Sequence, residues 1–70
     1  MDRQTVSSTN IASVGYEPVS SILEIEFHSG GVYQYERVSP TLAQNLVNAE
    51  SPGRFFAENI KDRYPTMKVY

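Results

Sequence analysis

Tyr33 and Tyr35, separated by Gln34, are the residues of this 70-residue chain best suited to recognition chemistry. On an exposed strand, two tyrosines at that spacing share a face and offer a stacking platform for unpaired bases. Such stacking contributes about 1–3 kcal/mol per base. The same side chains can instead fill a sheet–helix core, with their hydroxyls at its rim. Positive charge to complement a phosphate backbone comes from Arg37, Arg54, Lys61, Arg63 and Lys68. Arg37 ends the tyrosine strand, where it either meets a phosphate or pairs with Glu36 or another neighbouring carboxylate. Arg54 follows Pro52-Gly53 in the first turn of an expected helix, where free backbone N–H groups also favour an anion. Tyr33, Tyr35, Arg37, Arg54, Lys61 and Arg63 are therefore the candidate nucleic-acid-binding residues. The alternative for Arg54 is a solvated position on a helix surface.

Catalytic groups are few. His28 is the single histidine and there is no cysteine. That excludes a disulfide framework and a thiolate metal site, and His28 has no matching Ser/Asp or Cys arrangement for nucleophilic catalysis. It reads as an exposed turn residue. Glu24 and Glu26 lie two apart on one strand face, a pairing that can do acid–base work, but here they mark the solvent side of a sheet. Ser51 reads as a helix cap, Gly53 as a point of close packing between helix and sheet, and Asn59 as a partner for loop backbone. No enzyme activity, cofactor or metal is expected.

The net charge of −2 argues against a general nucleic-acid binder, whose footprint is usually basic, but leaves room for a local basic patch. No stretch approaches the roughly 18 apolar residues of a membrane span. No apolar run follows Met1-Asp2-Arg3-Gln4-Thr5 as a secretory signal requires. A cytoplasmic protein with no membrane partner is the expectation. A chain this short makes one domain, buries only about 60% of its unfolded surface and needs every apolar contact it can form.

The elements that position these residues follow from periodicity. Leu23, Ile25 and Phe27 alternate with Glu24, Glu26 and His28, and Tyr33 and Tyr35 alternate with Val32, Gln34 and Glu36, which gives two strands. Ser29-Gly30-Gly31 joins them as a hairpin. A two-residue loop pairs odd residues with even ones and sets the tyrosines beside Glu24 and Glu26. A three-residue loop with a left-handed glycine pairs odd with odd and sets them beside Leu23, Ile25 and Phe27. The second is favoured, because it builds one apolar face from both strands. A further short strand is expected near Ile11–Tyr16, with Val19 adding to its apolar character and Gly15 marking a bulge or a close backbone approach. Ser39-Pro40 and Ser51-Pro52 each start a helix. Leu42, Ala43, Leu46 and Val47 form the stripe of the first. Phe55, Phe56, Ile60 and Tyr64 form that of the second, which Pro65 ends. The expected fold is α+β: a three-stranded antiparallel sheet in the order β-β-β-α-α, with two short helices packed on one face. Residues 1–8 are expected to be a flexible N-terminus, residues 9–65 the single domain, and residues 66–70 a tail or short edge strand.

Taken together, these residues resemble the KTSC domain family, which takes its name from a C-terminal extension of some lysyl-tRNA synthetases. Val14-Gly15-Tyr16 is followed by Leu23, Ile25 and Phe27, Gly30, Tyr33-x-Tyr35 and Val38. Ala49-x-Ser51-x-Gly53, Phe55-Phe56, Asn59-Ile60 and Tyr64 complete a pattern over residues 8–64. The resemblance implies a small stand-alone bacterial or phage protein with no assigned activity and no catalytic residues to carry over. Its synthetase association suggests RNA binding. Two partner classes thus remain: RNA, either tRNA or single-stranded, and another protein, including a second copy of the chain.

Overall fold

The computed structural model describes residues 1–70. It is an α+β fold whose sheet has five strands rather than the expected three, in the spatial order β1-β2-β3-β4-β5 with every neighbouring pair antiparallel. The strands are β1 (Gln4–Thr5), β2 (Ile11–Glu17), β3 (Ile22–Phe27), β4 (Val32–Tyr35) and β5 (Thr66–Lys68); the helices α1 (Pro40–Asn48) and α2 (Pro52–Asn59) lie between β4 and β5. The three central strands are those read from alternation. The two added ones are edge strands of two and three residues, too short and too exposed to carry a hydrophobic period. β1 lies within the stretch expected to be a flexible N-terminus, and β5 takes the edge-strand option for residues 66–70.

The hairpin settles which face the tyrosines occupy. The Gly30 amide donates to the Phe27 carbonyl at 2.9 Å and the Phe27 amide to the Gly31 carbonyl at 2.9 Å, closing the three-residue loop His28-Ser29-Gly30, one residue earlier than the Ser29-Gly30-Gly31 junction expected from the alternation. Gly30 has φ 107, a backbone region that costs a side chain dearly. The register that follows pairs Leu23 with Tyr35 and Ile25 with Tyr33. Odd residues therefore meet odd residues, and both tyrosines join the apolar face.

That face carries Ile11, Val14, Leu23, Ile25 and Tyr35, which form one buried cluster with Val38, Ala43, Leu46 and Ile60. Each helix thus contributes from its apolar stripe or its end. Ser39 caps α1 as expected, accepting from the Leu42 amide at 3.1 Å. Ser51 occupies the corresponding position on α2, but its hydroxyl makes no capping bond, so proline at the first helical position and the φ it presets start that helix. α2 ends at Asn59, five residues before the expected limit: Asp62 has φ 62 and turns the chain toward β5. Asn59 bonds its own helix, donating to the Phe55 carbonyl at 3.0 Å, rather than a loop. Val19 sits in the β2–β3 turn, 94% exposed, and adds nothing to the core. Tyr16 anchors the start of α1 by donating its hydroxyl to the Val38 carbonyl at 2.6 Å.

The opposite sheet face is polar but partly covered. The bulge of β2 falls between Ile11 and Ser13, so Gly15 is the close approach rather than the bulge. A Cβ there would stand 2.6 Å from the Asp2 carbonyl oxygen, because residues 1–3 cross directly over it. This crossing brings Arg3 to Glu24 at 2.6 Å and leaves Glu24 only 8% exposed, so it does not mark an open solvent side. The Gln34 amide donates to the same carboxylate at 2.8 Å, and Ser13 donates to Glu26 at 2.8 Å.

Candidate functional site

Between the end of α2 and the hairpin, the apolar face is not fully roofed. Ile60 is buried and anchors the turn, which leaves Lys61 and Asp62 exposed beside the gap. Beneath them lie three half-buried rings, Phe27, Tyr33 and Phe56, and the buried ring of Tyr35. The rings meet edge to face: Phe27 with Tyr33 at 5.7 Å between centroids, Phe27 with Phe56 at 5.3 Å, and Tyr35 with Phe56 at 5.6 Å. Such geometry suits the ring quadrupoles and holds the rings in place. The resulting cleft of about 400 Å³ is bordered by Tyr33, Tyr35, Phe27, Phe56, Lys61 and Asp62.

A second cleft of about 430 Å³ adjoins it across Phe27, Ser29, Phe56 and Lys61, which border both. Its remaining walls are mostly polar and include Asn10, His28 and Gly53. His28 is exposed, as expected of a turn residue, with Nε2 3.0 Å from the Ser8 carbonyl. Gly53 packs against the β1–β2 connection rather than the sheet: a Cβ there would lie 3.3 Å from both Asn10 Nδ2 and Ser8 Oγ. The two clefts form one groove, aromatic toward β4 and β5 and polar toward the β1–β2 connection, with Lys61 over their junction.

The electrostatics distinguish two buried acids. Burial pushes the Tyr35 phenol up to about 12, with the nearby Tyr33 and the Asp62 carboxylate adding to the effect, so it is a neutral group at any ordinary pH. Burial alone would raise the Glu24 carboxyl; hydrogen bonds from Gln34 and Arg3, the Arg3 charge and the N-terminal ammonium outweigh it and hold the group below the usual carboxylate value. Glu24 lies on the far sheet face and takes no part in the groove. No group of three or more His, Asp or Glu side chains is placed to hold a metal ion.

The model of the KTSC domain family matches residues 7–64. The chain belongs to the KTSC domain family. Relatives agree. A protein of Stutzerimonas stutzeri that carries no assigned function is 42% identical over 64 residues, covering 91% of this chain and 90% of its own length. The crystal structure of a KTSC domain protein from Yersinia pestis matches with a TM-score of 0.96 at 43% identity, over 99% of this chain and 97% of that one. The lysine–tRNA ligase of a Nostoc species is 39% identical over 54 residues, which are 77% of this chain and only 10% of the ligase. The pattern read from the sequence over residues 8–64 and the matched span thus nearly coincide.

Within this KTSC domain, Tyr33, Tyr35 and Lys61 meet at the groove. Arg54 does not: it borders a separate polar cleft with Ser51 and Asn10, and pairs with Glu58 one turn along α2 at 3.2 Å. Arg37, at φ 62 just beyond β4, and Arg63 are exposed and border none of the clefts. Both tyrosines pack with the core rather than standing on an open strand face. Tyr35 is core, at 4% exposure, and Tyr33 is at the margin of the core. Phe27, Phe56 and Asp62 were not among the site candidates. The two phenylalanines read as core stripe residues, which they also are. Asp62 stands between Lys61 and Arg63 in a mixed-charge run with no pattern to single it out.

Proposed function

We propose that this KTSC domain is a non-catalytic RNA-binding accessory module of the cytoplasm, and that the groove is where it grips an unstacked segment of the strand. One observation carries the reading: a half-buried tyrosine ring, Tyr33, and an unpaired lysine, Lys61, border the same cleft. A ring face and a cation are what a single-stranded nucleotide needs, one for its base and one for its phosphate. The contact is a slot rather than an open sheet platform, because the helices cover the face that holds both tyrosines. The presence of a related segment in lysine–tRNA ligases supports RNA as the partner. The net charge of −2 favours a short local contact over long phosphate tracking. Titrating tRNA and short single-stranded RNA into the labelled protein at low and moderate salt tests this. Amide shifts clustered at Tyr33, Phe56 and Lys61 are expected; none at either salt counts decisively against it.

A second reading has its own observation. Met67 is 56% exposed, Val69 42% and Tyr70 82%, all along the outer strand β5 and its extension. An edge strand with free backbone groups and apolar side chains is suited to pairing with another protein. Sedimentation across concentration tests the self-association form of this reading, for which a monomer throughout is the opposing result.

A further inference from the structure

Asp62 is placed to read a base. It occupies the left-handed backbone region at φ 62, which L residues other than Asn and Asp rarely adopt. It borders the aromatic cleft that Tyr35 and Tyr33 also line. Lys61 and Arg63 adjoin it in sequence, yet no ion pair of the chain involves it. Its carboxylate is therefore free to accept hydrogen bonds.

Each half of the groove lies within the range of about 300–1,000 Å³ typical of small-ligand pockets. Resting on the RNA-binding reading above, we infer that the groove takes one unstacked nucleotide, its base in the aromatic half, its phosphate in the polar half beneath Lys61, and that Asp62 selects guanine. The chemistry decides among the bases. The Watson–Crick edge of guanine presents two adjacent donors, N1–H and the N2 amino group, and a carboxylate accepts both. Adenine and cytosine offer one amino donor beside an acceptor nitrogen. Uracil offers one N–H between two carbonyl oxygens, which the carboxylate repels. A site built to receive hydrogen bonds discriminates strongly against an analogue that cannot supply them.

The test uses four single-stranded RNA pentanucleotides, uridine at every position except a varied central base, titrated into the whole chain and followed by amide shifts. The guanine oligomer is expected to bind about tenfold more tightly than the all-uridine one, with adenine and cytosine between. Asp62→Asn removes most of that preference, and asparagine tolerates the same backbone, so the fold is kept. Lys61→Gln weakens all four oligomers alike. Equal binding of the four by the unaltered protein, or a guanine preference that survives Asp62→Asn, overturns the base assignment and leaves RNA binding standing. Failure of every oligomer and of tRNA to bind overturns both.

Discussion

Gly15→Ala separates what the N-terminal segment contributes from what the sheet contributes. The added Cβ would meet the Asp2 carbonyl oxygen at 2.6 Å, Arg3 Cγ at 2.9 Å and Met1 Cγ at 3.2 Å. Side-chain atoms can swing aside, but a backbone oxygen moves only with its chain, so residues 1–3 must lift from β2. Lifting breaks the Arg3–Glu24 pair, whose side chains are 28% and 10% exposed. A hydrogen bond to a charged group contributes about 1.5–3 kcal/mol, reduced here to about 1–2 kcal/mol because the guanidinium is partly solvated and screened. Alanine recovers about 0.5–1 kcal/mol relative to glycine within a strand. The net loss is about 1 kcal/mol, a drop of about 4–8 °C in Tm for a domain of this size. Thermal unfolding followed by circular dichroism measures it. In a chain lacking residues 1–5 the same substitution is expected to be neutral or stabilising by about 0.5–1 kcal/mol, because its steric partner is gone. An equal loss in both backgrounds would refute the reasoning and put the clash inside the sheet.

Three further outcomes follow from the same physical features. Glu24 has a folded-state pKa below its ordinary 4.5, so its contribution to stability is complete above pH 4.5 and is lost as pH falls through the depressed value; melting curves on the acid side will show it, and Arg3→Gln will shrink it. Tyr35 titrates at about 12 against an ordinary 10.0, so its contribution is complete below pH 10 and is lost as pH rises toward 12. Phenolate absorbance should show one of the five tyrosines ionising late with unfolding, and Tyr35→Phe will remove that loss. Phe56→Ala is expected to cost about 3 kcal/mol, the lower end for a phenylalanine, because the ring is half-exposed where it borders the groove; an unchanged Tm would mean that α2 is not held by this ring.

The amino-acid sequence by itself determined the central hairpin, the three-residue length of its loop though not its position, both helix starts and the apolar face. Leu23, Ile25, Phe27, Tyr33 and Tyr35 alternate, Gly30 supplies the one backbone conformation the loop requires, and Ser39-Pro40 and Pro52 are local signals that act within a turn of themselves. It also carried the family, because the ordered set from Val14 to Tyr64 does not depend on knowing the contacts. Tertiary structure decided the rest. β1 and β5 are too short to have a period and exist only because β2 and β4 offer unpaired edges. Glu24 is buried because residues 1–3 happen to cross Gly15, at least 12 positions away in sequence. The groove depends on where the turn after Asn59 deposits Lys61 and Asp62 over rings from three different elements. Alternation and helical spacing describe one element at a time, whereas a site of this kind is a meeting of several, set by how their side chains pack.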